Sequence, residues 1–221
     1  YLHDTVDALS FLRLVDSISF RALCGALTAL MLTILFGSRV ILYFYRLGHR
    51  DIPRNYLNYS SEGNPSKTYG GVLLVSVILV SIGLWCKLHT GFVLLCLAGL
   101  LFFACLGWVD DYLKVRHGSS DHGLSETAKL LLQGTYCTIF GVIYATQSLS
   151  PLPPEVGTQL YLPFLKYPII DLSWFYVPFI VFTITAISNA VNITDGVDGL
   201  AVVPTAFVVA VFGVFAYVSS H

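Results

Sequence analysis

The stretch "GFVLLCLAGLLFFACLGWVDDYLKV", residues 91–115, carries no charge from Gly91 to Val109 and then sets two carboxylates side by side, Asp110 and Asp111. An α-helix rises about 1.5 Å per residue, so roughly 20 apolar residues cross the hydrocarbon of a bilayer. The run reads as a membrane helix that ends at 109, with the two acids where it meets water. Adjacent carboxylates repel, and the C-terminal end of a helix is the negative end of its dipole. Two acids at such a place require a cation.

The rest of the composition agrees with a membrane chain. Of 221 residues, 56% are hydrophobic and 11% charged, against about 25% charged in soluble domains. Mean hydropathy is +0.75. Twelve Lys and Arg balance thirteen Asp and Glu to a net charge of −1. The basic residues form no patch, which excludes nucleic acid as a partner. Cys24, Cys86, Cys96, Cys105 and Cys137 all fall in apolar runs without a CxxC pair, so they are expected as buried small hydrophobes rather than metal ligands. The chain begins without Met and closes on His221 directly after an apolar run, so a fragment truncated at its C-terminus is expected.

Six apolar windows, about 20–45, 70–86, 91–109, 128–146, 174–193 and 200–219, predict an all-α, polytopic transmembrane bundle forming one integral membrane domain over 1–221. Polar stretches 46–69, 110–127 and 192–199 fall on one side of the bilayer, and 87–90 and 147–173 on the other. The first side carries Arg46, Arg50, Arg54, Lys67, Lys114 and Arg116, with Lys129 just inside the next helix; the second carries Lys87 and Lys166. The positive-inside rule makes the first side cytoplasmic. The stretch 147–173, with "TQLYLPFL" and several prolines, predicts a short exterior hairpin.

Four acids, Asp110, Asp111, Asp195 and Asp198, thereby gather at one membrane face, where ionisable groups default to function. In "SNAVNITDGVDGLA", 188–201, Asn189, Asn192, Asp195 and Asp198 recur every third residue, and Gly196 and Gly199 turn the chain so that backbone can approach a ligand. The distal Glu of a calcium loop is missing. Carboxylates without a His or Cys cluster favour Mg2+, which binds through one or two carboxylates and substrate phosphates. Lys114, one turn beyond the acid pair, is placed to meet a phosphate or the carboxylates. Acids, amides, a lysine and magnesium at a membrane surface suit chemistry on a polyphosphate with a lipid co-substrate.

"FACLGWVDDYLKV", "HGLSETAKLLLQ" and "SNAVNITDGVDGLA" closely resemble segments of the bacterial phospho-N-acetylmuramoyl-pentapeptide transferases, the lipid I synthases, within the polyprenyl-phosphate sugar-1-phosphate transferases. The resemblance runs from about residue 40 to 215. It implies a ten-helix protein of the bacterial inner membrane with a cytoplasmic site. That protein would transfer phospho-MurNAc-pentapeptide from UDP-MurNAc-pentapeptide to undecaprenyl phosphate, using Mg2+ and releasing UMP, with a homodimer as the assembly it allows. By motif position, Asp110, Asp111 and Asp195 match catalytic acids, and Asp111 and Asn192 would hold the metal. Lys114 matches a lysine of the nucleotide site, and Lys129 a basic residue near the phosphates. Asn189 and Asn192 match the polar row beside metal and nucleotide, and Gly196, Val197 and Asp198 the loop that holds uracil. Thr68, Gly70 and Gly71 match the end of the family's "PTMGG" loop, here "SKTYGG" with Lys67 for Pro and Tyr69 for Met. The family's third key Asp and its His-rich loop follow beyond the six helices, so these 221 residues alone are not expected to be active. The alternatives are transfer of GlcNAc-1-phosphate to the same lipid, and a cation transporter using the Asp cluster.

Overall fold

The structure, a computed structural model, describes residues 15–46, 70–117, 123–146, 153, 156–162, 165–194 and 200–219. These form helices α1 (Ile18–Arg46), α2 (Gly70–Trp85), α3 (Gly91–His117), α4 (Glu126–Ala145), α5 (Tyr176–Thr194) and α6 (Val202–Ser219), with a hairpin of β1 (Gln159–Leu160) and β2 (Ile170–Asp171) before α5. The fold class is the all-α class expected. Three stretches are long and apolar enough to cross a membrane: Ile18–Phe44, Gly91–His117 and Ser173–Thr194. Helices α2 and α6 are shorter apolar helices. Helix α4 is in neither group, its N-terminal half carrying Glu126, Lys129 and Gln133.

The distribution of side chains is inverted relative to a soluble domain. Leu, Ile, Val and Phe are exposed along α1 and along α6 from Val202 to Val218. Among the described residues only seven hydrophobic side chains are buried, while Asp110 and Gln133 are buried with them. Exposed apolar faces of this extent belong against lipid, and polar groups turned inward must find partners within the protein. The cysteines correct the expectation made for them: Cys137 is buried, Cys24 half-buried, and Cys86, Cys96 and Cys105 are exposed, all five as free thiols.

The chain divides into two compact units, one ending at Lys129 and one beginning at Leu130. In the first, α1 and α2 run antiparallel. Near the start of α1, Phe20 meets the Trp85 ring edge-on at 6.3 Å between centroids, and Thr28 Oγ1 accepts a 3.0 Å hydrogen bond from Trp85 Nε1. Further along α1, a Cβ on Gly37 would lie 3.7 Å from Leu73 near the start of α2. Toward that end the two helices enclose a groove of about 510 Å³ that includes Arg39, Tyr43, Val72 and Ser76. A tight turn from Cys86 to Thr90, closed by Thr90 N–H donating to Lys87 O at 3.1 Å, leads into α3.

In the second unit α4 and α5 also run antiparallel. Tyr144 near the end of α4 stacks on Tyr176 at the start of α5, with centroids 5.5 Å apart. Gly141 permits the approach: a Cβ there would sit 3.3 Å from Val177 Cγ1 and 3.5 Å from its Cα. At the other end, Gln133 reaches Ser188 and Asn189. The hairpin pairs Gln159 with Asp171 and Leu160 with Ile170. Asp171 closes it, accepting from Thr158 Oγ1 at 2.7 Å and from Ser173 N–H at 2.9 Å, and so holds Ser173 at φ 44°, a conformation uncommon outside glycine.

Candidate active site

Helix α3 does not stop where its apolar run does. It continues eight residues past Val109 to His117, and its last turn carries Lys114, Arg116 and His117. Cations there complement the helix dipole, and Asp110 pairs with Lys114 at the favourable i,i+4 spacing. The reading that the two acids terminate the helix is therefore corrected: they lie about two turns inside it. Successive residues on a helix point about 100° apart, and this separates the pair. Asp110 is 4% exposed, whereas the Asp111 side chain is 46% exposed.

The burial of Asp110 is matched by its partners. Oδ2 lies 2.7 Å from Lys114 Nζ and 3.5 Å from Lys129 Nζ. Oδ1 accepts a 2.8 Å hydrogen bond from Leu124 N–H. One buried carboxylate thus holds two cations and a backbone donor, the condition under which a buried charge is tolerated. The chain from Leu124 then closes a ring. Ser125 caps α4, its Oγ accepting from Ala128 N–H at 3.3 Å; α4 follows, and Lys129 in its first turn returns to Asp110. Asp111 is 3.9 Å from Lys114 Nζ. The cations that meet the paired acids within the protein are Lys114 and Lys129.

The second unit carries a separate polar constellation. Gln133, 1% exposed, accepts from Asn189 Nδ2 at 2.8 Å and donates to Ser188 Oγ at 3.3 Å. Asn189 Nδ2 also donates to Thr185 O at 2.8 Å, which leaves its carbonyl oxygen as the part of the amide to offer a ligand. Asn192, one turn on, is exposed. Gln133 was not anticipated; its signal is a single amide in the apolar run "KLLLQGTY". Thr68, Asp195, Gly196, Val197 and Asp198 lie outside the described residues. Gly70 and Gly71 open α2. Among the described residues no three His, Cys, Asp or Glu side chains converge as a metal cage. The Asp111 carboxylate lies in the first unit and the Asn192 amide in the second; each is a hard oxygen donor of the kind that suits Mg2+.

Chemically, the first unit offers two lysines fixed against a buried carboxylate and one solvent-facing carboxylate beside them. Fixed cations neutralise phosphate, and an exposed acid can carry a proton or a metal.

Comparison with known proteins adds to this geometry. The family described as glycosyl transferase family 4 matches residues 93–221. The chain is similar to a protein of Solidesulfovibrio magneticus named phospho-N-acetylmuramoyl-pentapeptide-transferase, 39% identical over 217 residues, 96% of this chain and 57% of the relative. Proteins of the same name from Desulforapulum autotrophicum and Nitratidesulfovibrio vulgaris are 35% and 36% identical, covering 100% and 92% of this chain and 60% and 55% of the relatives. The chain thus spans under two thirds of the length of these relatives.

Proposed function

This chain belongs to glycosyl transferase family 4, and from that premise we propose that the protein transfers phospho-MurNAc-pentapeptide from its UDP carrier to undecaprenyl phosphate, forming lipid I and UMP. The observation that carries the reading is the polar cluster of Asp110, Lys114 and Lys129 near the end of an apolar helix, with the part-exposed Asp111 beside it. The names of the similar proteins support the same branch. The excess of Lys and Arg on one side supports a cytoplasmic site in a bacterial plasma membrane.

In this proposal an oxygen of the lipid phosphate attacks the phosphorus attached to the sugar. The pyrophosphate bridge to the nucleotide breaks, and UMP leaves with the bridging oxygen. Lys114 and Lys129 face the phosphates and hold their charge, as electrostatic positioning supplies most of the catalysis in phosphoryl transfer. Asp111, whose side chain is part-exposed, accepts the proton of the lipid phosphate or serves as an oxygen ligand of Mg2+, and motif position gives Asn192 a ligand role as well. The ion, when bound, neutralises the pyrophosphate. Asn189, braced by Gln133, presents its carbonyl to the nucleotide side. Asp195 as a further acid, Gly196, Val197 and Asp198 as the uridine loop and Thr68 before α2 enter on sequence grounds.

The test is UMP release by the full-length protein supplied with UDP-MurNAc-pentapeptide, undecaprenyl phosphate and magnesium. Release is expected to need all three and to fall to background in Asp111→Asn. Turnover of UDP-GlcNAc instead would move the protein to the sister branch. Silence with both donors would refute the transferase reading.

A further inference from the structure

The hairpin before α5 carries apolar side chains that the protein does not cover. Tyr161, Leu162, Tyr167, Ile169, Ile170 and Trp174 are all exposed. Ile169 and Ile170 are adjacent where β2 begins. Successive strand residues point to opposite faces, so the hairpin is apolar on both. Among the described residues from 156 to 175 only Lys166 and Asp171 are charged. Asp171 is engaged within the hairpin, accepting from Thr158 and Ser173, and Lys166 Nζ lies 5.9 Å from the centre of the Tyr167 ring. The hairpin is also tied to the helix that follows. Leu172 N–H donates to Thr158 O at 3.1 Å, and Phe175 N–H donates to Leu172 O at 2.8 Å in the turn from which α5 starts.

We propose that this hairpin is a membrane anchor, immersed in the headgroup layer of the leaflet that the Tyr176 end of α5 enters, with lipid as its partner. Helix length sets the depth. The 19 residues of α5 rise about 28 Å, close to the roughly 30 Å of bilayer hydrocarbon. The residues just before Tyr176 therefore fall in the polar layer outside it, where Trp and Tyr concentrate because their rings are apolar and their tips polar. The lipid-facing surface of α5 continues into the anchor: Phe175, Phe179 and Phe182 are exposed at a spacing of four and then three, which lines one helix face. A protein partner would cover one face of so small a hairpin and leave the other in water, whereas a surrounding headgroup layer covers both. Lys166 suits the same place, its stem lying on apolar surface and its ammonium meeting lipid phosphate. Tied to α5 by its hydrogen bonds, the hairpin fixes the depth of that helix, and with it the depth of Asn189 and Asn192 toward its other end.

The test uses the full-length protein in nanodiscs of phosphatidylethanolamine and phosphatidylglycerol, with two readouts. The first is photolabelling by a phospholipid that carries a diazirine in its headgroup or, separately, at the end of an acyl chain, with adducts mapped by mass spectrometry. The ratio of headgroup to chain-end adducts within 156–175 should exceed the ratio for the whole protein several-fold. The second is oxidation by hydroxyl radicals generated in the water. The protein leaves 73% of Tyr167 and 66% of Trp174 exposed, so its own cover would slow their oxidation by less than half. In nanodiscs both should oxidise several-fold more slowly than in a peptide of residues 161–175 in water. Tyr167→Glu combined with Ile169→Glu places two charges on the hairpin, which the interface disfavours. The headgroup adducts should then fall several-fold, and Trp174 oxidation should approach the peptide rate.

Oxidation of Tyr167 and Trp174 near the peptide rate would put the hairpin in water and overturn the proposal. Protection without lipid adducts would overturn it in favour of a covering protein surface, and a preference for chain-end adducts would place the hairpin in the hydrocarbon instead. A double variant that keeps both signals would equally refute it. Should that variant fail to assemble, the adducts and oxidation of the wild-type protein decide alone. Neither readout needs turnover, so a protein inactive on either nucleotide sugar would refute the proposed function and leave the anchor to be judged separately.

Discussion

Replacing Gln133 by Leu should cost stability at one identifiable partner. The side chain is 1% exposed and makes two bonds, one at 2.8 Å from Asn189 Nδ2 and a longer one at 3.3 Å to Ser188 Oγ. Interhelical hydrogen bonds in membrane proteins average about 0.6 kcal/mol and reach about 1.7. Ser188 can turn its hydroxyl back to a carbonyl of its own helix, so its loss is small. Asn189 retains Thr185 O but leaves one amide hydrogen without a partner in an enclosed setting. Leu fills much of the volume, so no large cavity term arises. The sum is about 1 kcal/mol, most of it coupling between Gln133 and Asn189. Equilibrium unfolding of the full-length protein in mixed micelles, on Gln133→Leu, Asn189→Leu and the double variant, measures that coupling directly. A coupling under about 0.3 kcal/mol, within the scatter of independent sites, would refute the idea that this amide pair fastens α4 to α5.

Three further outcomes are expected. Lys114→Met should destabilise by about 1–2 kcal/mol and Lys129→Met by about half as much, since the 2.7 Å contact carries more than the 3.5 Å one and each loss leaves Asp110 one cation; the reverse order in the same unfolding assay would count against the assignment. Gly141→Ala should change stability by less than about 1 kcal/mol, helix propensity offsetting a 3.3 Å contact with Val177, whereas Gly141→Leu should cost about 2 kcal/mol or more by overpacking; equal effects would deny the close approach. The hydroxyl of Thr158 and the N–H of Ser173 hold the Asp171 carboxyl below its ordinary value. Its folded value is depressed, so its contribution to the hairpin is present above the unfolded value and is lost as pH falls through the folded one. Amide exchange at Leu172 and Ser173 should therefore lose protection relative to Asp171→Asn only in that acid range, and a constant difference across pH would exclude the linkage.

The helices were legible because an apolar run of fixed length has few other uses than crossing a bilayer, and each described helix falls on a window read from composition. The end of α3 was not legible. Hydropathy marks the thickness of hydrocarbon, whereas the helix is ended by its own hydrogen-bond ladder, and "DDYLKVRH" sustains that ladder through the Asp110–Lys114 pair. The site was legible as a set of residue types but not as a set of roles. Helix α3 is apolar on every side before Asp110, so no amphipathic phase says which acid turns inward. Gln133 passed unremarked for a related reason. A lone glutamine acquires meaning only from what stands opposite, and its partner lies 56 residues away.

The turn between α2 and α3 has a consequence for biogenesis. Trp85 ends one apolar helix and Gly91 begins the next, and the five residues between them cannot leave either helix behind while the other enters the membrane. A turn this short couples the insertion of the two helices as a hairpin, with Lys87 and His89 at its tip. Charges added to that tip would then oppose the insertion of both helices at once, and an insertion defect in α2 would be inherited by α3 and by the acid pair it carries.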